Sequence, residues 1–301
     1  MALLKAEAEK LSNNQLVAGI IEEIIEKDEM FARLPFVQVN GKAYVYEREN
    51  GISEGDFIDP VTDTVPEGAA TFTEVVSKLR VLIGDVDVDN FLNETMSDTN
   101  NQMAVQIASK AKAMARKFRR TLAIGNATTN SKEFDGIGAL VTTAQTITAG
   151  TNGAALTLSM LDELLDAVPN GADVLVMRPG TLRAYRAQLR ALGGVTADSA
   201  IISDFGQPLI AHNGVPILVN EFLPGNETQG SATATASVYA ARFNEADGLH
   251  GLFGGSSAGI RLEDIGTVQN KDAQRIRMKW YCGLALKSTK SLARIKGITN
   301  I

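Results

Sequence analysis

Apolar and polar positions along the chain follow two different periods. In the first part of the chain, apolar residues recur three and four positions apart, which is the spacing of an amphipathic helix. In the last part they alternate with polar residues, which is the spacing of a half-buried strand. The pattern therefore predicts long helices first, then short mixed elements, and a strand-rich ending.

Two long helices are predicted, at residues 2–30 and 97–124. In the first, an apolar stripe lies on one side of the helix and a row of glutamates on the other. This arrangement fits either an ordinary amphipathic helix or an N-terminal arm that packs on adjacent subunits. The second begins at Ser97 or Asp98, whose side chains can cap free N–H groups, and ends at Gly125. Its apolar side consists of Met103, Ile107, Ala111, Met114, Phe118 and Leu122.

A long acidic loop, residues 47–71, separates two strand-like runs at 42–46 and 72–83. Loops beyond about 12–15 residues are uncommon inside a compact domain unless they are functional or disordered. At about 3.3 Å per residue, each arm of this loop can reach roughly 40 Å. Such a projection needs a surface to lie on, and we expect that surface to belong to a neighbouring copy of the same chain.

Short elements follow from about residue 135. Helices are predicted at 156–167 and 180–192, with a strand between them at 173–177. Apolar and polar residues then alternate over 275–286 and again over 292–298, which predicts a strand in each segment. This mixture predicts a domain that contains both helices and a sheet.

The composition indicates an ordinary globular protein, with 45% apolar and 21% charged residues. A net charge of −6 argues against a nucleic-acid-gripping protein, because phosphate neutralisation needs a basic face; it still suits a wall that encloses DNA. The single cysteine, Cys282, lies in an apolar strand-like run and is expected to be buried and inert, as in a reducing compartment. With no apolar run of about 18 residues and no signal-peptide core, we expect a soluble, intracellularly made protein with no membrane partner.

One nucleophile pattern is present but incomplete. Residues 255–259 fit G-x-S-x-G, with Ser257 as the nucleophile. In that hydrolase fold the serine precedes the acid and the histidine, whereas both His212 and His250 precede Ser257. A flexible glycine-serine turn is the favoured interpretation, and a serine hydrolase using Ser257 is the alternative from another functional class.

A calcium-loop pattern also fails. Asp85, Asp87 and Asp89 occupy positions one, three and five, but Asn90 replaces the glycine at position six and Met96 the glutamate at position twelve. Alternating aspartate and valine equally fits a half-exposed strand. Phosphate-binding glycine motifs and zinc-ligand spacings are missing from the sequence too. We therefore predict no enzyme activity and no catalytic, cofactor or metal site.

Opposite charges lie on the acidic loop and on the second half of the helix at 97–124. A solvated face is one interpretation of the helix cations, pairing with a neighbour's acidic loop is a second, and direct DNA binding is a third. The residues predicted to make assembly contacts are Glu47, Arg48, Glu49, Glu54, Asp56, Asp59, Asp63, Glu67, Arg116, Arg119 and Arg120.

The order of these parts resembles that of tailed-bacteriophage major capsid proteins of the Hong Kong 97-type fold. The matching features are the helical N-terminal arm, an extended loop on two strands at 42–83, and a long spine helix at 97–124. They continue with a mixed α/β region containing 174–194 and 214–224, and with an ending, 284–297, that is similar to the family's C-terminal strand pair. The resemblance covers nearly the whole chain and rests on architecture, not on a signature motif.

The resemblance implies an α+β capsid fold divided into named parts. These are an N-terminal arm at 1–30, a peripheral domain with the spine helix at 31–41 and 79–135, an extended β-hairpin loop at 42–78, an axial α/β domain at 136–244, a return to the peripheral domain at 245–285, and a C-terminal strand of the axial domain at 286–301.

The resemblance also implies a function. The chain would self-assemble into hexamers and pentamers of an icosahedral shell around double-stranded DNA, in a virion assembled in the host cytoplasm. Its partners would be further copies, a portal and a separate scaffolding protein, since the long charged N-terminal scaffold of some members is missing here. An encapsulin-like compartment, which shares the fold but packages enzymes, is the alternative.

Covalent cross-linking is a further point of comparison. Some members of the family join an extended-loop lysine to a neighbour's asparagine, but no lysine occurs here between Lys42 and Lys78. We therefore expect the shell to be held non-covalently or with the help of a decoration protein.

Overall fold

The computed structural model describes residues 30, 33–52, 54–59, 67–90, 102–191, 199–201, 208–255 and 259–301. Three predictions fall on other residues: the N-terminal arm up to residue 29, the start of the spine helix at 97–101, and the nucleophile Ser257. Asp63, one of the predicted contact residues, also lies outside the described residues.

The described residues form four α-helices and fifteen strands. The helices are α1 (Gln102–Ile124), α2 (Ile137–Leu140), α3 (Leu158–Asp166) and α4 (Pro179–Ala191). The strands are β1 (Phe36–Val39), β2 (Ala43–Gly51), β3 (Thr71–Lys78), β4 (Arg80–Asp89), β5 (Thr146–Thr148), β6 (Val174–Met177), β7 (Ser199–Ile201), β8 (Pro208–His212), β9 (Val215–Val219), β10 (Glu227–Gln229), β11 (Ala232–Ala241), β12 (Leu249–Gly254), β13 (Arg261–Thr267), β14 (Ala273–Leu286) and β15 (Leu292–Ile298).

Helix α1 lies on a five-stranded sheet of order β1-β12-β14-β13, in which β4 also pairs with β14. The predicted apolar stripe of α1 is buried from Ile107 to Leu122, as a helical period of three and four requires. At its centre the ring of Phe118 lies 4.5 Å from that of Trp280. The helix ends at Ile124 as predicted, and a Cβ at Gly125 would lie 2.4 Å from two backbone oxygens, so only glycine fits there.

The second sheet has eight strands, in the order β5-β15-β11-β6-β9-β8-β7 with β10 paired to β11. Leu161 and Leu164 of α3 and Tyr185 of α4 are buried against it, in one cluster with Leu175 and Ile295. The predictions of helices at 156–167 and 180–192 and of a strand at 173–177 are confirmed to within two residues by α3, α4 and β6. The two alternating runs at the C-terminus are confirmed as β14 and β15.

Strands β2 and β3 form a separate antiparallel hairpin, and here two predictions are wrong in detail. Residues 47–51, assigned to the loop, are strand, because the ladder continues to the pair Gly51–Thr71. The run 72–83 is two strands in different sheets, β3 and β4, separated at Leu79. The Leu79 N–H donates to the carbonyl of Lys42, which closes the hairpin, while its side chain, like that of Tyr44, packs against a small buried cluster of Val39, Leu252 and Ala285.

Candidate assembly interface

One face of the β2–β3 hairpin is fixed to its own chain. The Tyr46 hydroxyl donates to the carbonyl of Leu286 at 2.6 Å. The half-buried Arg48 donates from Nε to the carbonyl of Lys287 at 2.7 Å and from Nη2 to that of Leu286 at 2.6 Å. Because these carbonyls lie where the chain leaves β14 for β15, the hairpin base is held at the junction of the two sheets. Arg48 is therefore an intrachain anchor in the described residues.

The opposite face of the hairpin points outward. Its cross-strand pairs are Val45 with Val76, Glu47 with Glu74, and Glu49 with Phe72. Val45, Phe72 and Val76 are all exposed, at 45–63% of their surface. Like charges directly opposite each other destabilise a ladder, and none of the three carboxylates forms an ion pair within the described ranges. This face thus combines uncovered apolar side chains with uncompensated negative charge.

Beyond the ladder, the described loop residues stay in solvent. Four predicted contact residues, Glu54, Asp56, Asp59 and Glu67, are exposed there. Phe57 is fully exposed, at 108%, and Ile52 is exposed at 78%. Sequence reasoning singled out the carboxylates and missed the phenylalanine among them, although an apolar residue within an acidic loop is visible in the sequence.

The predicted helix cations lie in the C-terminal half of α1. Arg116 Nη2 is 4.0 Å from Glu221 Oε1, and the guanidinium groups of Arg116 and Arg119 lie 5.5 and 5.9 Å from the ring centroid of Phe222. Arg120 is exposed. The structure therefore brings two of the three arginines onto a turn of the same chain, a long-range contact that no sequence pattern indicated.

The aspartates of the failed calcium loop lie on β4 and pair with arginines of β14. Arg277 binds Asp85 through Nε at 2.8 Å and Nη2 at 2.9 Å, and Arg275 binds Asp87 at 2.6 and 2.7 Å. These hydrogen bonds hold the pKa values of both carboxyls below their usual range. The strand interpretation is confirmed, and across the described residues no group of three or more His, Cys, Asp and Glu side chains is placed to hold a metal ion.

The remaining candidates for chemistry are dispersed. Cys282 is buried, as predicted, and burial raises the pKa of its thiol to about 12. His212 lies in the second sheet, with Nε2 at 2.8 Å from Asp162 Oδ1 and Nδ1 at 3.2 Å from the Tyr185 hydroxyl. His250 lies in the first sheet and burial lowers its pKa. Within the described part of the chain no helix is long and apolar enough to cross a membrane.

The chain is similar in fold to several solved shell proteins. The SrpI encapsulin of Synechococcus elongatus PCC 7942 is 18% identical, covers 99% of this chain and 97% of its own, and has a TM-score of 0.68. The capsid of an empty GTA particle is 13% identical over 89% of each chain, with a TM-score of 0.67. The capsid of cyanophage A-1(L) is 14% identical over 91% of this chain and 93% of its own, with a TM-score of 0.64. At these identities the likeness concerns the fold, and the predicted Hong Kong 97-type capsid fold is confirmed.

A family model matches most of the chain. Residues 85–299 match the model of the SU10 major capsid protein, whereas a search of curated protein sequences found no match. The matched range includes α1, β14 and every strand of the second sheet, so it contains the hydrophobic centres of both sheets. The resemblance inferred from the sequence is thereby confirmed, and the chain belongs to the SU10 major capsid protein family.

Proposed function

We propose that this chain is the major capsid protein of a tailed double-stranded DNA phage, and that it assembles into hexamers and pentamers of an icosahedral shell. The observation that carries the proposal is the family match over residues 85–299. The role is structural, and the chain is a component of the virion capsid. We further infer that assembly takes place in the host cytoplasm and that no enzymatic step belongs to the subunit.

The geometry of the β2–β3 hairpin supports the proposal that it reaches a neighbouring subunit. Its inner face is occupied by its own chain through Tyr46 and Arg48, whereas its outer face exposes Val45, Val76 and Phe72. Burying apolar surface is favourable at about 25 cal/mol per Å². A second copy supplies the cover in a shell, where each weak contact is repeated by symmetry.

We assign the parts of the shell subunit as follows. The first sheet with α1 acts as the peripheral domain, and α1 is its spine helix. The second sheet with α3 and α4 acts as the axial domain, which meets its copies around the capsomer centre. The N-terminal segment 1–30 acts as an arm and 42–78 as the extended loop, with the remaining boundaries as given by the resemblance.

Further partners follow from the same proposal. A portal and a separate scaffolding protein complete the assembly, and a decoration protein or non-covalent contacts alone hold the finished shell. DNA is enclosed without sequence-specific contacts, which suits a net charge of −6, because tight binding of phosphates needs an excess of basic side chains. The exposed helix cations and acidic loop residues then act between subunits.

An encapsulin-like compartment is the second candidate function, favoured by the fold likeness to the SrpI encapsulin over 99% of this chain. The two candidates differ in cargo and not in architecture. Electron microscopy of the purified chain, alone and with co-expressed scaffold, tests the shared part: closed shells or rings of five and six support it, and a uniform monomer or dimer in both conditions contradicts it.

The cargo decides between the two. Particles from the native source are treated with nuclease and then opened. Protected double-stranded DNA of defined length supports the capsid, whereas DNA-free particles filled with an enzyme would identify a compartment.

A further inference from the structure

An open cavity of about 560 Å³ lies between the base of the β2–β3 hairpin and the segment that follows α1. Its apolar lining includes Phe134, Leu284 and Leu286, which are buried side chains of the protein core. Its polar lining includes Arg48, Lys78, Arg80, Thr128 and Ser131. The volume lies in the range typical of binding pockets, and the lining combines apolar side chains with a larger share of polar surface.

The cavity carries an excess of positive charge. Three cations line it, Arg48, Lys78 and Arg80, against one carboxylate, Asp135. The Asp135 carboxylate accepts the N–H of Ala127 at 2.8 Å, and none of the three cations is in an ion pair within the residues that the structure places. The buried Nε of Arg80 has no hydrogen-bond partner in this structure. The cavity is therefore suited to a group that brings an apolar side chain together with carboxylates.

The loop beyond the hairpin offers such a group. Phe57 is exposed at 108%, and Asp56 and Asp59 stand on either side of it in the sequence. No lysine or arginine occurs between Arg48 and Lys78, so every charged side chain of this segment is negative. In its own chain this segment leaves the ladder after Gly51, whereas the cavity is lined by Tyr46 and Arg48 in the middle of β2 and by Lys78 at the hairpin base.

We propose that Phe57 of one copy seats in this cavity of an adjacent copy, with Asp56 directed to the cations around Arg80. The inference rests on the proposed shell function. It identifies Phe57 as the anchor, and the cavity as its receptor, of one contact between adjacent subunits of the shell. A large side chain that fills a pocket of the partner, surrounded by contacts that exclude water, is the usual form of an interface hot spot. It also relieves both defects described above, the exposed ring and the unpartnered guanidinium nitrogen.

A disulfide between the two sites tests the proposal. The variant Phe57→Cys/Ser131→Cys places one thiol in the loop and one in the cavity, while the native Cys282 is buried and unreactive. Assembled particles are oxidised and run on a non-reducing gel. We expect chains linked in series, ending at closed rings of five and six. Phe57→Cys/Ser231→Cys is the matched control, because Ser231 is an exposed serine in the turn between β10 and β11 and does not line the cavity.

Other occupants of the cavity give other results. A monomer that migrates faster after oxidation would show the loop folded onto its own chain, and intact particles without cross-links would leave the cavity to the N-terminal segment or a decoration protein. Either result overturns the proposal while the shell function stands. If the unmodified chain forms no shells, the failure belongs to the proposed function instead.

A second pair of variants keeps the proposal testable if the cysteines disturb assembly. Phe57→Ala is expected to raise the critical concentration for assembly about tenfold, the effect of losing one modest hot spot. Its control is Ile52→Ala, in the same loop and also exposed, at 78%. The melting temperature of the unassembled chain stays unchanged in both, since neither side chain is packed. The proposal is contradicted if Phe57→Ala and Ile52→Ala change the critical concentration equally, or if Phe57→Ala leaves it unchanged.

Discussion

At the residue scale, His250 is a buried histidine whose pKa is lowered by its surroundings. It is fully buried, its Nε2 has no hydrogen-bond partner, and its ring meets that of Tyr44 edge-on at 5.7 Å. Burial is the main cause that lowers its pKa below the usual 6.5, and Lys287 lowers it further, while the carbonyl of Gly248 and Glu245 act in the opposite direction. The neutral ring therefore supports the contact between β12 and the hairpin base.

We expect the free energy of unfolding to fall as the pH drops below about 6.5. As the pH falls, the unfolded chain takes up the proton first, because the pKa of His250 is lower in the folded state. The neutral ring therefore makes its full contribution to the free energy of unfolding above pH 6.5, and this contribution is lost as the pH falls towards the folded-state pKa. Urea unfolding at several pH values between about 7.5 and 5 measures the slope. His250→Phe keeps the aromatic contact and removes the titration; an unchanged slope in that variant would contradict the assignment.

Several residue roles follow from sequence, and their partners do not. Alternation of aspartate and valine over 84–90 predicted a strand, and β4 confirms it. That Arg277 and Arg275 hold Asp85 and Asp87 was not predictable, because these pairs are separated by 192 and 188 positions. A period of two shows which side chains share a face of a strand, but it contains no information about which strand lies alongside.

At the scale of elements, the pattern of apolar and polar residues located α1, α3, α4, β14 and β15, because each of them buries apolar side chains in the hydrophobic core. The division at Leu79 was missed for a physical reason. The residues on both sides of it have the composition of strands, and only the closing bond from Leu79 N–H to the Lys42 carbonyl separates the hairpin from the first sheet. A local pattern cannot show that one apolar run belongs to two sheets.

The hairpin is held as an element by Arg48. We expect Arg48→Ala to lower the free energy of unfolding by about 1–3 kcal/mol, the usual range for hydrogen bonds from a charged donor to partly buried acceptors. Hydrogen exchange of β2 amides should also accelerate, since the hairpin base is released from Leu286 and Lys287. Glu49→Ala on the outer face is the control and should stay within about 0.5 kcal/mol. Equal hydrogen-exchange protection of the β2 amides in the Arg48→Ala and Glu49→Ala variants would contradict the anchoring role of Arg48.

The cations of α1 make a separate prediction. Reversing Arg120 to glutamate should weaken assembly at low salt and have little effect near 1 M salt, where the screening length is about 3 Å, if this face meets acidic loops of a neighbour. Arg120 is the informative choice because Arg116 and Arg119 already contact Phe222 of their own chain. Lys132→Glu, an exposed reversal beyond the helix, is the matched control. Light scattering across a salt series measures the effect, and identical curves for the two variants would mean that this face is only solvated.

At the scale of the whole molecule, the two sheets bury their apolar side chains in hydrophobic clusters, the largest of which includes residues of both sheets, while the outer face of the hairpin and its loop leave apolar side chains in solvent. This asymmetry separates what one chain needs to fold from what it contributes to an assembly. In the sequence this part is a long acidic loop with no partner domain, which is why we expect a second copy to cover it. The surfaces that meet were not predictable, because they depend on side chains that no intrachain period constrains.

The same asymmetry makes loop and fold separable by experiment. Replacing residues 52–70 with a short Gly-Ser turn leaves the ladder intact, since it ends at the pair Gly51–Thr71. The described residues of this loop are exposed, so the subunit should remain folded and soluble, with a melting temperature within a few degrees of the parent. We expect few or no shells by electron microscopy, because the arm that reaches the next copy is gone.

A Gly-Ser segment of the original length is the control for that deletion. This segment restores the length of the loop but not its side chains. If Phe57 and its acidic neighbours make the contact, the control variant should form as few shells as the deletion. Assembly restored by length alone would mean that the loop acts as a spacer for the hairpin's outer face. Normal shells from the short variant would be a different result, because every contact needed to close the particle would then lie outside residues 52–70.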